Sequence, residues 1–320
     1  MSRFDLTTIG EGQLRYSVPA GTRLELAENF QISVAGTEAN VAGLLSRVGW
    51  HCGWFSSLPN SPLGHRVANE YSLAGIDLSA VLWREAGRVA TYYVEYAEPP
   101  RSAQVYYDRA NTCFTNLVSD EIDWEYLTDT RILHLSGLTL PLSQSLRQIV
   151  PEAARRARAK GAMVSFDVNY RSRIWTPEEA REALLPLIRD VDILFCGRRD
   201  AQQLFMIQGE PKAIVEQLGN LTHAKHLVVS LSDEGLIGWD RKEFFQQPAW
   251  NVKIVDRIGA GDAMVAGVID GILAGNFAKG IRTGAVTAAL ALSQYGDQVI
   301  TNRGEIELLL NAPHSADICR

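Results

Sequence analysis

The four residues Gly259-Ala260-Gly261-Asp262 combine an anion-binding backbone with a carboxylate. Glycines at a helix start let backbone N–H groups approach an anion closely, and the helix dipole adds favourable potential for negative charge. Asp262, in the first turn of that helix, places a proton acceptor beside the anion. Phosphoryl transfer to a hydroxyl needs positioning, stabilisation of charge on the equatorial oxygens and a base for the attacking group, and this element supplies both of the latter. An acidic first-turn residue after an ordinary glycine turn would have the same local sequence.

Two other stretches present polar side chains at places suited to a ligand. In Ala35-Gly36-Thr37-Glu38-Ala39-Asn40, Gly36 permits close backbone approach and Asn40 offers both a donor and an acceptor, a pairing that suits sugar hydroxyls; a turn glycine followed by an N-capping asparagine is the plainer alternative. In Phe166-Asp167-Val168-Asn169-Tyr170-Arg171, a strand runs into polar residues, as happens at the carboxyl edge of an open α/β sheet where ligands bind. Arg171 there could bridge a carboxylate or a phosphate through its planar fork, or be one member of a solvated surface ion pair.

These segments must be positioned by elements that alternate between strand and helix. Ala260 to Ala274 carries Met264, Val265, Val268, Ile269, Ile272 and Leu273 at helical spacing, and the β-prone Asn251 to Val255 is expected to be a strand feeding it. Strands are expected at Phe4 to Ile9, Trp50 to Leu58, Ile132 to Ser136, Met163 to Asp167, Ile193 to Cys196 and His226 to Ser230. Helices are expected at Ala39 to Val48, Gly64 to Ala74, Leu142 to Lys160, Pro177 to Arg189 and Lys212 to Gly219. Such alternation favours a parallel, helix-covered sheet. Between Arg88 and Tyr107 the texture changes to VATYYVEYA and AQVYYD around EPPRS, the pattern of a hairpin and our candidate for a small β lid. Strand alternation would make one tyrosine of each pair, Tyr92-Tyr93 and Tyr106-Tyr107, a core residue.

Composition bounds the function. Of 320 residues, 46% are hydrophobic and 21% charged, as in ordinary globular proteins. A net charge of -6 argues against a nucleic-acid partner, which needs a cationic surface. Cys52, Cys113, Cys196 and Cys319 stand too far apart for zinc-ligand spacing, so free thiols are expected. His134 and His226, beside apolar strand residues, read as structural. With no signal-peptide pattern and no apolar run of roughly 18 residues, the expectation is a cytoplasmic protein without a membrane partner.

The longer string DRIGAGDAMVAGVIDG resembles the second signature of the PfkB, or ribokinase-like, family of carbohydrate kinases, and AGTEANVA resembles its first, in the same order. Departures are Ala35 for the first of two glycines and Arg257 where threonine or another small residue is usual. The resemblance runs over nearly the whole chain. It implies a single domain over residues 1–320: a doubly wound, mostly parallel sheet sandwiched by helices, with a lid from about 10–30 and 88–113. Within the family, DVNYR followed by Trp175 is similar to 2-keto-3-deoxygluconate kinases.

That similarity implies ATP-dependent phosphorylation of a primary hydroxyl, with Asp262 as base and the amides of Gly259, Ala260 and Gly261 as anion hole. Gly36, Thr37, Asn40, Tyr92, Tyr107, Arg109, Arg171 and Asp297 would meet the sugar, Arg109 reading its carboxylate. Asn169, Arg171, Ser230, Ser232, Asp233, Gly235, Gly259 and Gly261 would meet ATP, and Ala288 to Asp297 would be a helix lining the adenine pocket. Ser232 replaces the usual glycine, and Gly197 with Asp200 replaces the usual Asn-x-x-Glu, leaving Asp200 to reach Mg2+ through water. A dimer pairing through the lid is the expected assembly. Other readings are a fructokinase or other sugar kinase, a nucleoside kinase, and a silent sugar sensor of the same fold.

Overall fold

In the strand Ile193–Gly197, Leu194 and Cys196 pack into one apolar core while Ile193 and Phe195 pack into another. Burial on both faces is what a parallel strand between two helix layers requires. The computed structural model describes residues 2–97 and 100–311. Glu98 and Pro99 of the expected turn, and Cys319, lie outside the described residues.

In chain order the strands are β1 (Phe4–Ile9), β2 (Gln13–Val18), β3 (Gln31–Ala35), β4 (Cys52–Phe55), β5 (Ser57–Pro59), β6 (Leu82–Arg84), β7 (Ala90–Glu95), β8 (Gln104–Asp108), β9 (Thr130–Ser136), β10 (Met163–Asp167), β11 (Ile193–Gly197), β12 (His226–Ser230), β13 (Leu236–Trp239) and β14 (Phe244–Gln247). The helices are α1 (Thr37–Arg47), α2 (Pro62–Leu73), α3 (Trp124–Thr128), α4 (Gln144–Ala159), α5 (Pro177–Arg189), α6 (Arg198–Phe205), α7 (Pro211–Gly219), α8 (Ala260–Leu273), α9 (Phe277–Leu292) and α10 (Arg303–Asn311).

The main sheet runs β14-β13-β12-β11-β10-β9-β1-β4 and is parallel from β12 to β4, with β13 and β14 antiparallel at one edge. Residues of α4, α5 and α7 fill the core on one face, and α1, α8 and α9 the other. This is the mostly parallel, helix-sandwiched architecture expected. Helix starts follow local chemistry: Thr176 and Glu179 form a capping box ahead of α5 with Pro177 at its first position, and Ser61 caps α2 just before Pro62.

A second sheet of order β3-β2-β7-β8 stands apart, with β7 and β8 as an antiparallel hairpin and β2 parallel to β7. Its β3 extends past residue 30.

Four expectations are corrected. Asn251 to Val255 forms no strand; the Val255 N–H donates to the Leu292 carbonyl at 2.7 Å, so the segment is held by the end of α9 rather than by a ladder. The helix expected to reach Asp297 ends at Leu292, and Gly296, at φ 100°, takes the chain into a turn. Tyr106 and Tyr107 are 52% and 41% exposed, neither in the core, because β8 is an edge strand. The strand expected from Trp50 to Leu58 divides at Ser56, β4 joining the main sheet and β5 pairing with β6.

Candidate active site

The carboxyl ends of β10, β11 and β12 open onto the start of α8, and two adjoining cavities lie there. The smaller, about 380 Å³, is lined by Gly36, Thr37, Asn40, Tyr92, Tyr107, Arg109, Asn169, Arg171, Asp200, Gly259, Asp262 and Asp297. The larger, about 660 Å³, is lined by Ser232, Asp233, Gly235, Ala260, Leu236, Trp250 and the α9 residues Ala285, Ala288 and Leu292. Ser230 and Gly261 border both.

At the head of α8, Gly259 has φ 89°, and a Cβ there would stand 2.4 Å from the Asp297 carbonyl oxygen. Only glycine satisfies both constraints. Gly36 is required by approach rather than by φ: its Cβ would meet the Glu11 carbonyl and the Tyr71 hydroxyl, each at 2.6 Å.

Asp262 is held by α1. Thr37 Oγ1 donates to Asp262 Oδ1 at 2.5 Å and Asn40 Nδ2 donates to Oδ2 at 2.8 Å. Asn169 Nδ2 in turn donates to Thr37 Oγ1 at 3.0 Å, from a left-handed φ of 41° that asparagine tolerates better than most residues. Asn40 therefore neither caps α1, whose N-cap is Gly36, nor leaves its amide nitrogen free. Burial in the cavity pushes the Asp262 carboxyl up to about 6, against the lowering effect of the Thr37 and Asn40 hydrogen bonds. Such a value suits a base at neutral pH.

Arg15 and Tyr92 of the small sheet, with Tyr96 just past β7, reach two carboxylates flanking Gly259. Arg15 of β2, essentially buried, donates through Nη2 to Asp256 at 2.5 Å and through Nη1 to Asp297 at 2.8 Å. The Tyr92 hydroxyl contacts both Asp297 oxygens, at 2.7 and 2.6 Å, and Tyr96 donates to Asp256 at 2.6 Å. Asp256 also accepts from the Ile258 and Gly296 amides, at 3.1 and 3.3 Å. Burial alone would lower the Arg15 guanidinium, yet Asp297, Tyr92 and Asp256 hold it above its ordinary value.

Arg109 and Arg171 differ in constraint. Arg109 donates through Nε to Glu11 at 2.9 Å, while its Nη1 is buried with no partner among the described residues. Its guanidinium stands 5.8 Å from the Tyr107 ring centroid. Arg171 is exposed and makes one long hydrogen bond, to the Tyr170 carbonyl at 3.3 Å.

Asp167 at the end of β10 and Asp200 in the first turn of α6 line the same cavity as Asp262. Burial, then the charges of Asp262 and Asp200, push Asp167 up to about 8. Burial also raises Asp200, which accepts from the Tyr170 amide at 3.3 Å. Carboxylates gathered at this cost fit a hydrated divalent cation, and Mg2+ keeps several of its waters. No group of three or more His, Cys, Asp or Glu side chains forms a direct metal cage among the described residues.

The family described as pfkB family carbohydrate kinase matches residues 6–303. The chain belongs to that family. As a pfkB carbohydrate kinase it has relatives over nearly its full length. It is 34% identical to a 2-dehydro-3-deoxygalactonokinase of Haloferax volcanii over 96% of each chain. It is 27% identical to a 2-dehydro-3-deoxygluconokinase of Bacillus subtilis over 92% of this chain and 91% of the relative. The crystal structure of a 2-dehydro-3-deoxygluconokinase from Thermotoga maritima superposes with a TM-score of 0.90 at 30% identity, covering 96% of this chain and 98% of that one.

Every residue of this pfkB kinase expected from the sequence to meet the sugar, ATP or Mg2+ borders one of the two cavities. Arg15, Glu11, Asp167 and Asp256 were not singled out. A charge inside the strand QLRYSV was the available signal for Arg15, but an alternating strand with one wet face carries the same pattern. His134 is buried, its Nδ1 3.0 Å from Ser165 Oγ, and desolvation lowers it to about 3, as befits a neutral structural histidine. Cys52, Cys113 and Cys196 are free and buried. No described helix is long and apolar enough to cross a membrane.

Proposed function

We propose that this kinase transfers the γ-phosphoryl group of ATP to a primary hydroxyl of a 2-dehydro-3-deoxy sugar acid, of gluconate or galactonate configuration. One observation carries the choice of an acid: the unpartnered Arg109 Nη1 and the loosely held Arg171 share the Asp262 cavity. A neutral sugar gives them no anion to bind. The names of the relatives support the same substrate class.

ATP occupies the larger cavity, its adenine against the apolar α9 wall and its phosphates directed at Gly259, Ala260 and Gly261. The sugar hydroxyl loses its proton to Asp262 as its oxygen bonds the γ-phosphorus, and the electron pair of the broken bond leaves with ADP. Thr37 and Asn40 aim the base; Gly36 lets the sugar lie against the backbone. Asp297, held by Arg15 and Tyr92, accepts from a sugar hydroxyl, and Tyr107 covers it. Asp167 and Asp200, with Asn169, would hold hydrated Mg2+, which would supply charge neutralisation at the phosphates. The small sheet excludes water, and two copies pair through its open edges β3 and β8.

A panel of both sugar acids, fructose and ribose, assayed for ADP release, tests the substrate class. The sugar acids are expected to exceed fructose in kcat/KM by about 100-fold or more; faster turnover of fructose would refute the assignment. Arg109→Ala is expected to raise the sugar-acid KM by roughly tenfold to a hundredfold, from the about 1.5–3 kcal/mol of a hydrogen bond to a charged group. An unchanged KM would remove Arg109 from the site.

Because Asp262 must be ionised to accept a proton, kcat/KM should climb as pH rises through about 6 and level off above it. Thr37→Ala removes a donor that favours the ionised form, so the limb should move to higher pH. A profile flat from about pH 5 to 8 would contradict this role.

A further inference from the structure

The two cavities meet along a seam. Ser230, Arg257, Gly261 and Met264 line both, and Arg257 is the single charged side chain among them. It is exposed, and it makes no hydrogen bond or ion pair among the described residues. The other arginines of the smaller cavity are engaged to different degrees, Arg109 on Glu11 and Arg171 on the Tyr170 carbonyl.

Its backbone, by contrast, is fixed on both sides. Asp256 is tied to Arg15 and accepts from the Ile258 amide, and Gly259 is locked against Asp297. A rigid main chain thus carries a free guanidinium to the boundary between the nucleotide and the sugar. A phosphoryl group moving from one cavity to the other passes that boundary, and the remaining seam residues offer it a hydroxyl, a thioether and a glycine backbone. A guanidinium matches phosphate oxygens two at a time and stabilises the charge spread over them in the transition state.

We propose that Arg257 is a catalytic residue of this kinase, binding the γ-phosphoryl group as it crosses the seam. The proposal rests on the assignment of the two cavities to ATP and sugar. Arg257 keeps its protons throughout: the proton of the attacking hydroxyl goes to Asp262, and the electron pair of the broken bond to ADP.

Arg257→Met and Arg257→Lys test it, with steady-state kinetics on the best sugar of the panel and calorimetric titration of ATP and ADP. Arg257→Met should lower kcat by about 100-fold or more with the sugar KM changed by no more than about twofold. It should weaken ATP more than ADP, because ATP alone carries the third phosphate. Arg257→Lys, which keeps the charge but not the fork, should fall between. Unchanged kcat overturns the proposal. So does an equal loss for ATP and ADP, or a raised sugar-acid KM with kcat kept, which would make Arg257 a reader of the sugar. If the wild type prefers a neutral sugar, the sugar-acid assignment fails, while the comparison on that sugar still decides the role of Arg257.

Discussion

Asp262→Asn is expected to lower kcat by about 10²–10⁴, the contribution typical of a positioned general base, while sugar binding is largely kept. The substitution preserves shape and leaves an oxygen to accept from Asn40 Nδ2, now 2.8 Å away, so α8 and its glycine turn should remain in place. What it removes is the carboxylate proposed to take the hydroxyl proton. Single-turnover phosphorylation measured beside calorimetric binding of the sugar separates the two. A variant with turnover close to wild type would deny Asp262 its role as base. ATP consumption unchanged by the substitution is what a silent sugar sensor would give.

Arg15→Met should destabilise the fold by about 3–5 kcal/mol, as expected when one partner of a buried ion pair is deleted. Arg15 and Asp256 are each about 1% exposed at the side chain, and Asp297 is 7% exposed. Without the guanidinium, two carboxylates remain buried with only tyrosine and amide donors. Urea unfolding should show the loss as a lower midpoint, and Asp297→Asn added to Arg15→Met should recover part of it.

The pH dependence has a definite sign. Burial already holds Asp297 above its ordinary 3.8, and losing Arg15 raises it further. A carboxyl whose folded value exceeds its unfolded value costs stability as pH rises between the two, so the deficit of Arg15→Met should shrink as pH falls toward about 4. An unfolding free energy within about 1 kcal/mol of wild type would mean that the carboxylates find another partner.

The same residues show where sequence reasoning stops. Met163–Asp167, Pro177–Arg189 and His226–Ser230 have the bounds expected, because apolar period, a capping box and a proline at the first helical position are local signals. Asn251 to Val255 has the residue types of a strand, but no neighbouring strand pairs with it. The adjacent Tyr106 and Tyr107 point to opposite faces of β8, so alternation expects one of them in the core, but they lie at the edge of a sheet whose strand order no local pattern reveals.

Sequence by itself determined the alternating architecture and the glycine-lined start of α8, since each depends on neighbours a few positions away, and its resemblance to a family pointed to part of the cavity lining, Asp167 and Trp250 excepted. Tertiary structure alone decided what those residues do to one another. Thr37 and Asp262 are 225 positions apart, and Arg15 and Asp297 are 282 apart. Closing the sheet brings them within hydrogen-bonding distance, and it turns a charge in a short strand into a buried tie to the two carboxylates beside the start of α8.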